Sequence, residues 1–163
     1  MKGVCFVFLL FLGAGAFTGV SAQKSYFQQE VNYRIAVSLD DEKHQINGQI
    51  DILYTNNAPN ALNEIWMHLW GNAFKDRNTA FCKQKLRDGS SAFYFAPAST
   101  LGFYQDLDFK VNGKKITWNL DTRNPDIARL VLNEPLQSGQ KIVISTPFQL
   151  KIPASFSRLG HVG

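Results

Sequence analysis

YRIAVSLDDEKHQINGQIDILY, residues 33–54, decides the fold class. Tyr33, Ile35, Val37 and Leu39 alternate with Arg34, Ala36, Ser38 and Asp40. A period of two puts apolar side chains on one face of a strand and polar ones on the other, so this run predicts a half-buried strand. Asp40-Asp41-Glu42-Lys43 has the composition of a turn. Ile46, Gly48, Ile50, Ile52 and Tyr54 then share one face, opposite Gln45, Asn47, Gln49 and Asp51. Asn47-Gly48 is also a hairpin dipeptide, but the alternation runs straight across it. Gly48 therefore belongs to the strand and marks a bulge or a close backbone approach. Two antiparallel strands joined at residues 40–43 follow.

Outward from this pair the β grammar repeats. Residues 55–60 (TNNAPN) read as a loop, and LNEIWMHLWGNAF (62–74) as a further strand. There Ile65, Met67 and Leu69 face one way and Trp66, His68 and Trp70 the other. Bulky residues on both faces predict a central strand covered on both sides. Residues 79–88 predict the one short helix, with Thr79 at the N-cap, Phe81, Cys82 and Leu86 on one stripe, and Gly89 at the end. Residues 90–103 show no clear period. Leu107, Phe109 and Val111 lead up to Asn112-Gly113, and Ile116, Trp118 and Leu120 lead away, which predicts a type I′ hairpin. Ala128, Leu130 and Leu132 form another strand. Residues 136–140 turn it into a last one carrying Ile142, Ile144, Phe148, Leu150 and Ile152. Strands at close spacing with one minor helix predict a mainly β, antiparallel domain.

Bulk properties agree with one domain. The 163 residues are 45% hydrophobic and 18% charged, enough for a real core. The 13% aromatic share, with thirteen Phe, favours strands over a helical bundle. Residues 1–22 read as a signal peptide: Lys2 is a minimal basic n-region, Val4–Leu12 an apolar core, and Val20-Ser21-Ala22 a small-x-small cleavage site before Gln23. Export to the periplasm or the extracellular space is expected, with residues 23–163 as the mature domain and no membrane span after cleavage. Cys5 leaves with the leader, so Cys82 alone remains and no internal disulfide forms. The formal net charge of +4 is small and scattered, and no basic stripe points to nucleic acid.

No catalytic apparatus stands out. His44, His68 and His161 lie in no zinc-site spacing. His68, between two tryptophans, reads as a structural imidazole, His44 as a solvated one, and His161 as a glycine-flanked loop residue. Cys82, on an apolar helix stripe, reads as a small buried hydrophobe rather than a nucleophile. Glu64 with Asp106 or Asp108 would be a carboxylate pair only if the fold brought them together; polar-face charges are the simpler reading. Gly113-Lys114-Lys115 belongs to a hairpin, not a phosphate loop. Trp66, Trp70 and Trp118 are candidates for a carbohydrate platform, although strand period places them in a core.

The same stretches, in their order, resemble the N-terminal domain of the aminopeptidase N family of gluzincin zinc metallopeptidases, in its exported bacterial subgroup. The resemblance covers residues 26–163. It rests on YRIAVSLDDEKHQINGQIDILYTNNAPNALNEIWMHLWGNAF, then TAFCKQ, LDFKVNGKKI and PFQLKIPASFSRLGHVG. A Tyr-x-Ile strand, an Ile-x-Gly strand and Leu-x-Glu-Ile-x-x-His-Leu form its opening pattern. It implies a saddle-like antiparallel β-sheet or sandwich that caps a separate catalytic domain. That second domain would carry an H-E-x-x-H helix, hold zinc and act on peptide substrates. The chain contains no H-E-x-x-H, and no catalytic, metal or cofactor-binding position of the family maps onto it. The resemblance thus implies an inactive fragment whose β domain is incomplete beyond Gly160-His161-Val162-Gly163. The residues alone leave a second expectation open, a stand-alone binding module for glycan or peptide.

Overall fold

The structure is a computed structural model and describes residues 26–162; the expected leader and its cleavage site lie outside them. Nine strands form two antiparallel sheets. The larger has six strands: β1 (Glu30–Asp40), β2 (Gln45–Thr55), β4 (Phe103–Gln105), β5 (Lys110–Val111), β6 (Lys114–Lys115) and β9 (Lys141–Lys151). Its order is β1-β2-β9-β5-β6, with β4 paired to β9 beyond the end of β5. The smaller sheet runs β3 (Leu62–His68), β8 (Ile127–Leu136), β7 (Thr117–Leu120). A mainly β sandwich with one α-helix, α1 (Ala80–Arg87), is the architecture the alternation predicts.

The opening pair forms as expected. β1 and β2 align residue for residue from Glu30–Thr55 to Asp40–Gln45. The register continues through Gly48 without a bulge; Gly48 is there because Phe148 of β9 lies across it. A Cβ at this position would sit 2.5 Å from the Phe148 ring and 2.9 Å from the Ala36 carbonyl. Asp40 closes the turn by accepting from the Lys43 amide and ammonium, both at 3.0 Å.

Asn112 (φ 49°) and Gly113 (φ 79°) make the expected left-handed turn, but the hairpin is cut short. Only Lys110–Val111 and Lys114–Lys115 pair across it. The chain then leaves the larger sheet at buried Ile116, and β7 joins β8 in the smaller one. The turn after β8 is likewise a crossing, because β9 returns to the larger sheet. Asn56, fully buried, ties this crossing to the β2–β3 loop. Its Nδ2 donates to Leu136 O and Asn60 O, both at 2.9 Å. Pro147 is tolerated in β9 because the neighbour on that side is broken between β4 and β5. There the Asp108 amide donates to Thr146 Oγ1 instead.

The core lies between the sheets, where Ile52, Ile65, Phe109, Leu130, Ile142 and Ile144 are buried together. A satellite cluster under α1 holds Phe74, Cys82 and Phe93 with Phe81 and Phe156. Thr79 caps α1 as expected, its hydroxyl accepting from the Cys82 amide at 3.2 Å.

Two expectations are corrected. β3 is an edge strand of the smaller sheet, not a central one covered on both faces, and Trp66 is more than half exposed. β1 is not half-buried. Tyr33, Ile35, Val37 and Leu39 are each 55–65% exposed. The cause is the same for both. Three strands are too few to cover six, so the smaller sheet roofs β2 and β9 and leaves the apolar face of β1 open.

Candidate functional site

The opening between the two sheets is a groove of about 530 Å3. Val31, Tyr33 and Ile35 of β1 form one wall, and Trp66, His68 and Trp70 at the end of β3 form the other. Ile50, Thr146 and Phe148 contribute to its lining from β2 and β9. Strand period therefore placed Trp66 and Trp70 wrongly in a core. Trp118, by contrast, packs edge-on against buried Phe109, with ring centroids 5.1 Å apart.

The exposed tryptophans are held in place. Trp66 Nε1 donates to Glu64 Oε1 at 2.9 Å, and the Arg129 guanidinium bonds Glu64 while lying 5.9 Å from the Trp66 ring centroid. The bonds from Trp66 and then Arg129 hold the Glu64 carboxyl below its usual range. Trp70, which opens a 3₁₀ turn (Trp70–Phe74) rather than continuing β3, rests against His68 with ring centroids 3.8 Å apart. His68 Nε2 bonds Asp126 Oδ2 at 2.8 Å, so the expected structural imidazole is what the fold shows. Asn72, one turn further on, is buried; it donates to Pro125 O and accepts from the Tyr104 amide, both at 2.9 Å. His68 and Asn72 together fix the end of β3 to the β7–β8 turn.

The lining of the groove is mainly apolar; the Tyr33, Tyr54 and Tyr104 hydroxyls and the Trp70 indole N–H are its free polar groups, while others are engaged. His68 is engaged by Asp126. Thr146 Oγ1 donates to Pro147 O and accepts from Asp108 N. A pyranose ring needs hydrogen bonds around its rim as well as a stacking face, so this lining suits apolar side chains better than a glycan.

The remaining candidates lie apart from the groove. No hydrogen bond joins Glu64 to Asp106 or Asp108, and Asp108 faces Lys110 at 3.6 Å and Lys115 at 3.3 Å. Cys82 is buried among aromatic rings; burial first, and the Asp76 charge second, push its thiol pKa up, against nucleophilic use. His44 is only half exposed. It stacks on His161, ring centroids 3.6 Å apart and planes 11° from parallel, an encounter the sequence does not signal because 117 positions separate them. Among the described residues no three His, Cys, Asp or Glu side chains could hold a metal ion, so the residues present do not fit a zinc site.

No family model matches the chain, and no curated protein matches it. Among solved structures, it is similar to a point mutant of a two-domain M1 zinc metallopeptidase bound to L-arginine. That likeness has 13% identity and a TM-score of 0.48, over 79% of this chain and 22% of the other. A point mutant of the M1 zinc metallopeptidase from Deinococcus radiodurans gives 13% and 0.48, over 80% and 22%. The chain thus spans about a fifth of the length of the solved chains it matches. No helix among the described residues is long and apolar enough to cross a membrane.

Proposed function

We propose that this chain is the non-catalytic N-terminal β domain of an exported zinc aminopeptidase, where it caps the cleft in which peptides lose their N-terminal residues. The observation that carries the reading is the ordered set of sequence pieces. Leu-x-Glu-Ile-x-x-His-Leu followed by Trp-Gly-Asn-Ala-Phe supplies β3 and the turn that ends it. Its polar members have tasks in a cap: Glu64 orients Trp66, His68 meets Asp126, and Asn72 ties two elements. Zinc and the base that activates its water would belong to a second domain; this chain's part is to shape one wall of the cleft. Purified chain incubated with zinc should leave aminoacyl-arylamides intact, whereas a longer product read from the same locus should carry H-E-x-x-H and cleave them. Turnover by the chain itself, surviving repurification and lost to a chelator, would overturn the proposal.

The groove favours a second reading, a binding module for peptides bearing large apolar side chains. Trp66 and Trp70 report on it directly. Quenching or a blue shift of their emission by such peptides, absent with a glycan panel, is the expected result, and an unchanged spectrum across both sets counts against it.

A further inference from the structure

Among the described residues β1 is a sheet edge without protection. It pairs with β2 through all 11 residues and, among the described residues, with nothing on its other side. Asn32 to Leu39 are exposed on both faces. Natural edges are blunted by proline, bulges, lysines, shortness or a covering segment. β1 has no proline and no lysine, its register with β2 is unbroken, and Arg34 is its one cation. Four apolar side chains in a row beside an open backbone edge form a template for another strand.

We propose that the strand is a second copy of β1, paired antiparallel about a two-fold axis through Ala36, so that two six-stranded sheets become one. Symmetry and charge select this register. Directly opposed residues in an antiparallel pair share a face, so apolar must meet apolar and like charges must not meet. With the axis through Arg34, the guanidinium opposes its own copy. With the axis through Ile35, Glu30 opposes Asp40 of the second copy. With the axis through Val37, Arg34 meets Asp40 and Ile35 meets Leu39, but exposed Tyr33 is left opposite Asp41 in the turn with no apolar partner. The axis through Ala36 places Tyr33 opposite Leu39 and Ile35 opposite Val37, each twice. Within the strands it sets Arg34 opposite Ser38 and Asn32 opposite Asp40, with no like charges facing; Val31 and Glu30 run out opposite Asp41 and Glu42, beyond the ladder in the turn. All four exposed apolar residues then have cross-strand partners. Closed two-fold pairing also uses each free edge once, which stops growth at the dimer. The proposal does not rest on the peptidase reading, since it concerns the backbone edge of β1, although Tyr33 and Ile35 also border the groove.

Sedimentation velocity over a concentration series of the full chain in its exported form tests it. The expected species are a monomer and one discrete dimer. Val37→Lys, which puts a charge on the apolar face of an exposed strand position, should leave the circular dichroism spectrum and melting unchanged and abolish the dimer. Ser38 distinguishes registers. Ser38→Asp sets two carboxylates opposite two copies of Arg34, and Ser38→Lys sets two cations there. Dimer Kd should fall and rise respectively by roughly two- to thirtyfold, with the difference shrinking in high salt. A chain that stays monomeric, open-ended aggregation without a dimer, a dimer indifferent to Val37→Lys, or equal effects of the two Ser38 variants would each overturn the proposal. So would a monomer that accepts only an unrelated strand-forming peptide at this edge.

Discussion

Gly48→Ala offers a sharp test of how the larger sheet is packed. The added Cβ would lie 2.5 Å from Phe148 Cζ, 2.8 Å from its Cε1 and 2.9 Å from the Ala36 carbonyl oxygen. Carbon atoms in good contact sit about 3.5–4.0 Å apart, so something must move by about an ångström. The Phe148 ring borders the groove and can swing toward it; the Ala36 carbonyl belongs to the β1–β2 ladder and cannot. Overpacking of this kind costs about 1–3 kcal/mol, and for a domain of this size the melting temperature should drop by roughly 3–10 °C. Phe148→Ala has its own cost, the lost edge contact with Tyr104 at 5.7 Å between ring centroids. In the double variant the ring clash is gone while the carbonyl contact stays. Urea denaturation of the four proteins should therefore give a favourable coupling of about 1 kcal/mol, with incomplete rescue. Additive losses, or a Gly48→Ala protein as stable as the parent, would show that Phe148 does not lie over Gly48.

Three further outcomes are expected. Asn56→Ala strips buried Leu136 O and Ala58 N of their partners and should destabilise by about 2–4 kcal/mol in chemical denaturation, while Asn57→Ala, one residue on and exposed, should cost under about 1 kcal/mol. His161 has a pKa below the ordinary 6.5, through burial first and then His44 and Lys151. Its unfolded form takes up a proton before its folded form does. Stability should thus decline as pH falls from about 7 toward 5, and His161→Phe, which keeps a ring over His44, should flatten that slope in denaturation curves. Asp40 and Asp121, held low chiefly by backbone amides of Lys43 and Asn124, add a separate loss below about pH 4, as the folded carboxylates protonate. Phe93→Ala, opening a cavity among Phe74, Phe81 and Phe156, should cost about 3–5 kcal/mol and speed alkylation of Cys82, which stays slow in the parent.

Several features could be read directly from the chain. The β1–β2 register, the α1 cap and the Asn112-Gly113 turn all depend on residues near one another in sequence or on strict period-two alternation, and the glycine at 48 marked a close approach without saying that distant Phe148 makes it. Local sterics and hydrogen bonding decide such features, and they leave a compositional mark. The groove left none. Trp66 and Trp70 carry the same alternation whether their face is roofed or open, so period alone placed them in a core. The Asn56 and Asn72 anchors look like ordinary loop asparagines, because their carbonyl partners are supplied by distant segments.

What the sequence by itself determined is therefore the one α-helix, which face of each long strand is apolar, and most of the strand content, though not short β4. Tertiary structure alone decided the allocation of those strands between two sheets. Ile116 and the 137–140 turn send the chain across the sandwich, where a hairpin would have been equally consistent with the alternation. From that allocation comes the mismatch of six strands against three, and from the mismatch the open face of β1, the exposed tryptophans and the groove between them. Alternation records which side chains avoid water, whereas coverage depends on how many strands end up opposite them, a property of the assembled sheets that no single strand encodes.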